Sequence, residues 1–148
     1  MSRPDTDKEG QMEAQELLED MHRRCDDLLM SLDSFVQREA WREAETTYGR
    51  LRTSMRAHFE AEEEELFPAF ERQAFVNATS TAIMRREHQR MSAMMDHMGG
   101  AIAVCDVVSY LNESVRLRSL LTQHARKEDF LMDAVFGAGS RVSDRHLA

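Results

Sequence analysis

Two histidine–glutamate pairs in this sequence have the spacing of metal ligands on a helix. His58 precedes Glu62 by four residues, and His124 precedes Glu128 by the same interval. Residues four apart on an α-helix lie on one face, about one turn from each other. Each pair would therefore present an imidazole nitrogen and a carboxylate oxygen in one direction, as a metal site built on helices requires.

Four long amphipathic helices would position these pairs. Apolar residues recur at intervals of three and four in stretches from about Met12 to Gln37, from about Trp41 to Phe67, from near Ser80 and from Val107 to Val135. Pro68 is expected to end the second helix, because proline disfavours helical backbone in the residue before it. No stretch alternates with a period of two. The sequence predicts an all-α, up-down-up-down antiparallel four-helix bundle.

The spacing of four histidines would place them at the same height along the axis of such a bundle. One falls in each predicted helix: His22, His58, His88 and His124. The first two are 36 residues apart, and so are the last two. Residues at one level of a helical hairpin are equidistant from its turn, which places the turns near Ala40 and Asp106. The second midpoint predicts either that the third helix continues for about a turn past Gly99-Gly100, although paired glycines favour a helix end, or that the loop to the fourth helix is long.

Four imidazoles and two carboxylates at one level indicate a metal site. Burying them without compensation costs several kcal/mol, which a cation can offset. Six ligands exceed the needs of one tetrahedral zinc, whereas two adjacent metals bridged by Glu62 and Glu128 would use them all. Imidazole and carboxylate without thiolate suit iron or manganese. His97 lies half a turn away from His88 around its helix, and His146 lies in a polar tail, so both are excluded.

The pattern of these residues resembles the hemerythrin-like (HHE cation-binding) family. It consists of His22, the stretch His58-Phe59-x-x-Glu62-Glu63-x-x-Leu66-Phe67-Pro68, the dipeptide Glu87-His88, and His124-x-x-x-Glu128. The resemblance covers roughly Leu17 to Phe136. It implies a four-helix bundle with a non-haem pair of iron ions bridged by two carboxylates and an oxo or hydroxo group. The ligands that it implies are His22, His58, Glu62, His88, His124 and Glu128.

Two departures separate the sequence from the oxygen carriers of that family. Those proteins have a fifth histidine one turn from the third-helix ligand, where this chain has Ser92 or Met84. Their fourth-helix carboxylate is an aspartate five residues after the histidine, whereas Glu128 follows His124 by four. Both features resemble the four-histidine, two-glutamate branch, so a reversible oxygen carrier is not favoured. The family's usual proline is also absent near Met132-Asp133, which predicts that the last helix runs on.

Several functions fit this site. The favoured one is a di-iron protein that reacts with or senses oxygen, peroxide or nitric oxide as its small ligand. Iron storage or delivery, or an iron-responsive regulatory module, is the alternative, and a di-iron enzyme acting on peroxide, nitric oxide or nitrite stands behind both. No dedicated acid or base is evident beyond the ligands, so a sensing role is favoured over an enzyme.

Composition narrows the partners, the compartment and the domain boundaries. The net charge of −8 argues against nucleic acid and anionic membranes as partners. Cys25 and Cys105 form no CxxC motif, and no signal peptide or membrane span is evident, which favours a cytoplasmic protein. Residues 1–10 are expected to be a disordered arm, 11–137 the bundle and 138–148 a flexible tail. Within the acidic stretch 60–65, Glu60, Glu64 and Glu65 are expected to face solvent. No protein partner is indicated.

Overall fold

The structure of the chain is a computed structural model that describes residues 4–73 and 78–136. Every element in these residues is helical: α1 (Pro4–Gln37), α2 (Trp41–Ala61), a π-helical segment (Glu62–Leu66), α3 (Phe67–Glu71), α4 (Ala78–Ala103) and α5 (Val107–Phe136). No β-strand occurs among them, so the predicted all-α class is confirmed. No helix in the described ranges is long and apolar enough to cross a membrane.

The helix bounds differ from the prediction mainly at the start of the chain. α1 begins at Pro4, upstream of the predicted start at Met12. The predicted tail, 138–148, lies outside the described residues. The proposed domain boundaries stay a prediction. The chain divides into two compact units, residues 1–58 and 59–148, and each is described by itself.

In the first unit, a Schellman turn reverses the chain between α1 and α2. The Glu39 amide donates to the Val36 carbonyl, and the Ala40 amide donates to the Phe35 carbonyl, both at 2.9 Å. Glu39 has the left-handed backbone that this motif needs, with φ of 56°. The predicted midpoint, Ala40, is thus the last residue of the turn.

In the second unit, the same motif joins α4 to α5. The Cys105 amide donates to Ile102 and the Asp106 amide to Ala101, at 3.1 and 2.9 Å. Cys105 has a φ of 55°. α4 therefore runs unbroken through Gly99-Gly100, which is the first of the two arrangements that the midpoint at Asp106 allowed. This aspartate also caps α5, because its carboxylate accepts hydrogen bonds from the Ser109 hydroxyl and amide, which hold the pKa of Asp106 below its usual value.

Glycine at either left-handed position is expected to stabilise the protein. A side chain at such a φ costs about 1–2 kcal/mol, part of which is offset because glycine loses more entropy on folding. We expect Glu39→Gly and Cys105→Gly each to raise the free energy of unfolding by about 0.5–1 kcal/mol. Urea unfolding of the metal-free protein measures the change. Gly100→Ala is a useful contrast, since Gly100 lies within α4. A loss of stability in both turn variants would contradict this reading of the turns.

The prediction that Pro68 ends the second helix is wrong. Phe67 keeps helical backbone angles, φ −63° and ψ −43°, and α3 continues through Pro68 to Glu71. The preceding π-helical segment explains why: the Phe67 amide bonds to the carbonyl of Glu62, five residues back, and this wider turn accommodates the proline ring at the start of α3.

In the second unit, α4 packs against α5 through an apolar core. The methionines of α4 supply much of this core, and Met84, Met91, Met94 and Met95 are all buried. Tyr110, Leu117 and Leu120 are buried on α5. At the start of α4, the Thr81 hydroxyl donates to Glu71 at 2.7 Å, and Arg85 also bonds this carboxylate. Those bonds, Arg85 first, lower the pKa of Glu71 and tie α3 to α4.

Candidate metal centre

The π-helical segment places two glutamates against one histidine of α4. His88 Nε2 lies 2.8 Å from Glu62 Oε2, and His88 Nδ1 lies 3.1 Å from Glu63 Oε1. Glu62 is fully buried, whereas the Glu63 side chain is 41% exposed. π-Helical turns are frequent at functional sites, and here the widened turn lets consecutive residues reach the same ring.

Two phenylalanines fix the plane of that ring. Phe59 stacks on His88 with centroids 4.1 Å apart and planes inclined by 17°. Phe67 stacks at 5.3 Å. Both belong to the chain segment that carries Glu62 and Glu63, so one continuous stretch determines the orientation of His88 and the position of its carboxylate partners.

A second imidazole, from α5, meets the same glutamate. His124 Nε2 lies 3.0 Å from Glu62 Oε2, 3.1 Å from Glu128 Oε1 and 3.1 Å from His88 Nε2. On the far side of the ring, His124 Nδ1 lies 3.1 Å from Glu87 Oε1. The α-helical spacing of four brings His124 and Glu128 together as predicted, and Glu128 is fully buried.

The carboxylates change the acidity of His124. Burial alone would lower its pKa, but hydrogen bonds and charge from Glu128 and Glu62 outweigh it and raise the pKa of His124 from 6.5 to about 10. Without metal, this side chain is therefore an imidazolium at neutral pH, with a proton on each ring nitrogen. A cation would take the place of that proton between the same groups.

The arrangement of these atoms fits a metal ion. The Nε2 atoms of His88 and His124 and Oε2 of Glu62 form a triangle with sides of 2.8, 3.0 and 3.1 Å. Ligands at right angles around one cation, with bonds of about 2.1 Å, would be separated by about 3.0 Å. Such crowding of three ligand atoms is costly in a buried place unless a cation or protons lie between them.

The other two predicted ligands lie together in the first unit. The rings of His22, on α1, and His58, on α2, have centroids 4.6 Å apart and planes inclined by 47°. His58 is buried and His22 is half-buried. The equal distances of these histidines from the turn at Ala40 are thus matched by a ring contact.

Comparison with protein families identifies the chain. The model of the hemerythrin HHE cation binding domain matches residues 13–134, which is most of the sequence. The chain belongs to the hemerythrin HHE cation-binding domain family. Comparison with curated proteins and with solved structures returned no match.

Membership in the hemerythrin family confirms the predicted four-helix bundle fold and makes cation binding a property of the domain. Within residues 59–148, the structure brings together Glu62, His88, His124 and Glu128 and buries all four. Within residues 1–58, it brings together His22 and His58. That all six bind metal in one centre stays a prediction.

Sequence reasoning missed three residues around this hemerythrin site. Glu63 and Glu87 have no predicted role beyond their place in the motif, and Lys127 has none, although its ammonium lies 2.6 Å from Glu87 Oε2. Their position in the sequence could have revealed them, because each of the three is next to a predicted ligand in the chain. Glu60, Glu64 and Glu65 are exposed, as predicted.

Proposed function

We propose that the protein binds two iron ions through His22, His58, Glu62, His88, His124 and Glu128, in a non-haem centre bridged by an oxo or hydroxo group. The observation that carries this proposal is the convergence of His88 Nε2 and His124 Nε2 on Glu62 Oε2 in a cation-binding domain. Imidazole and carboxylate ligands suit iron, and four-helix bundles hold paired metals through inward-facing glutamates and histidines.

The proposed role is to react with or sense oxygen, peroxide or nitric oxide. Iron would supply the electron transfer to such a ligand. The residues of the chain would bind and orient the metals and exclude water, since five of the six proposed ligands are buried and Phe59 and Phe67 stack on His88. Reversible oxygen carriage is not favoured, because Met84, fully buried, and Ser92, exposed, stand where oxygen carriers have a fifth histidine.

Metal analysis of aerobically purified protein tests this proposal. We expect about two irons per chain and near-ultraviolet absorption from an oxo-bridged pair. His58→Ala should lose most of the iron, because it removes a proposed ligand. His97→Gln is the matched control, since the His97 side chain is 70% exposed and should leave the iron content unchanged. Stoichiometric zinc without iron would refute the redox role.

Rapid mixing of the reduced, iron-loaded protein separates the possible ligands. We expect oxygen or peroxide to oxidise the centre within the experiment, and nitric oxide to give a distinct absorption band. A band formed with oxygen that disappears on removing the gas would indicate carriage. Iron that is released intact to a chelator, without reaction with any of the three, would favour storage or delivery.

A further inference from the structure

Glu87 is a buried carboxylate of α4 that none of the proposed metal-binding roles uses. Its side chain is only 5% exposed. One oxygen, Oε1, lies 3.1 Å from His124 Nδ1, and the other, Oε2, lies 2.6 Å from the ammonium of Lys127. Each oxygen therefore has a partner on α5, and the carboxylate joins the far side of the His124 ring to a cation.

The geometry determines which proton His124 can keep when a metal binds. A ring that coordinates through Nε2 must carry its proton on Nδ1, and that N–H needs an acceptor. Glu87 Oε1 is at hydrogen-bond distance from Nδ1, while Nε2 faces Glu62 and Glu128. Glu87 thus stands where it selects the Nδ1–H form of the ring.

Lys127 makes a buried carboxylate tolerable at this place. A carboxylate that is buried without a partner is strongly disfavoured, and the ammonium of Lys127 supplies that partner. The Lys127 side chain is 45% exposed, so its ammonium keeps part of its hydration while it pairs with Glu87. By contrast, the side chain of Glu63, the partner of His88 Nδ1, is itself 41% exposed and remains in contact with solvent.

On the basis of the proposed function, we propose that Glu87 and Lys127 are a positioning pair for His124. Glu87 accepts the Nδ1–H and holds the ring so that Nε2 faces the metal, and Lys127 holds the Glu87 carboxylate in place. Neither residue binds metal. The pair links the centre to the surface of α5, so the metal affinity depends on an exposed lysine one helical turn or less from its ligands.

Anaerobic titration with Co²⁺ or Fe²⁺ against a chromophoric chelator tests the pair. Glu87→Leu removes both acceptor and charge, and we expect the metal dissociation constant to rise about 10–100-fold. Glu87→Gln keeps an acceptor oxygen and should lose less. Lys127→Met should also weaken binding, and Lys127→Arg should restore it. The controls are Asp96→Asn on α4 and Arg126→Met on α5, both exposed positions that should leave the affinity unchanged.

A spectroscopic signature separates positioning from a general loss of stability. In the Co²⁺-loaded protein, ring N–H protons of coordinated histidines give exchangeable, paramagnetically shifted NMR signals. The His124 Nδ1–H signal should exchange faster or vanish in Glu87→Leu and persist in both controls. If Glu87→Leu does not fold, Glu87→Gln and the Lys127 variants decide the question.

Metal binding by the wild-type protein separates failure of the proposed function from failure of the positioning pair. If the wild-type protein binds neither metal, the proposed function itself fails, and the positioning pair with it. If the wild-type protein binds metal, but Glu87→Leu binds as tightly and retains the His124 signal, only the positioning pair is refuted.

Discussion

Replacing His124 and Glu128 together by leucine is expected to stabilise the metal-free protein and to abolish metal binding. Both side chains are almost completely buried and form an ion pair at 3.1 Å. Exchanging a buried ion pair for apolar residues of similar volume often gains about 1–4 kcal/mol. The remaining groups keep partners in the second unit, since Glu62 bonds His88 and Glu87 bonds Lys127.

The single variant His124→Leu should behave in the opposite way. It leaves Glu62, Glu87 and Glu128 close together without the imidazolium, and removing one partner of a buried pair costs about 3–5 kcal/mol. Urea unfolding of the chelator-treated proteins measures all three variants, with Glu128→Leu completing the double-mutant cycle. A double variant that is less stable than the wild type would contradict this prediction. It would mean that His124 and Glu128 stabilise the fold even without metal.

Removing the metal is expected to leave His124 protonated up to an unusually high pH. Glu128 and Glu62 outweigh the effect of burial and raise the pKa of His124 to about 10. In the unfolded chain the pKa returns to about 6.5. The stabilisation is therefore complete below about pH 6.5 and is lost as the pH rises through about 10, and it amounts to a few kcal/mol at most.

Proton NMR of the metal-free protein measures this directly through the ring C–H signal of His124. We expect an imidazolium shift at pH 8 and a midpoint near 10. Because metal and proton compete for the same nitrogen, metal affinity should rise with pH in this range. A midpoint below 7 for His124 would contradict the arrangement of the two carboxylates around it.

The helices and the two hairpin turns were predictable because their signals are periodic and local. A step of three or four residues marks a helix face whatever surrounds it, and equal spacing about a turn survives in the folded chain, as the turns at Ala40 and Asp106 show. The pairing of His124 with Glu128 follows from helix geometry alone.

What the sequence did not reveal depends on contacts between elements. Pro68 was expected to end a helix, and only the adjacent π-helical turn, which no periodicity announces, lets the helix continue. The roles of Glu63 and Glu87 depend on which nitrogen of each histidine faces inward. Lys127 was missed because its partner lies on another helix, 40 residues earlier in the chain.

The two Schellman turns are the centres of two halves of the chain with the same spacing of histidines. Ala40 and Asp106 hold the same place in their turns, and a histidine lies 18 residues before and after each. The same interval of 66 residues separates His22 from His88, His58 from His124 and Glu62 from Glu128. The predicted ligand set thus has the pattern of a tandem duplication, in which each copy contributes one histidine and one histidine–glutamate pair.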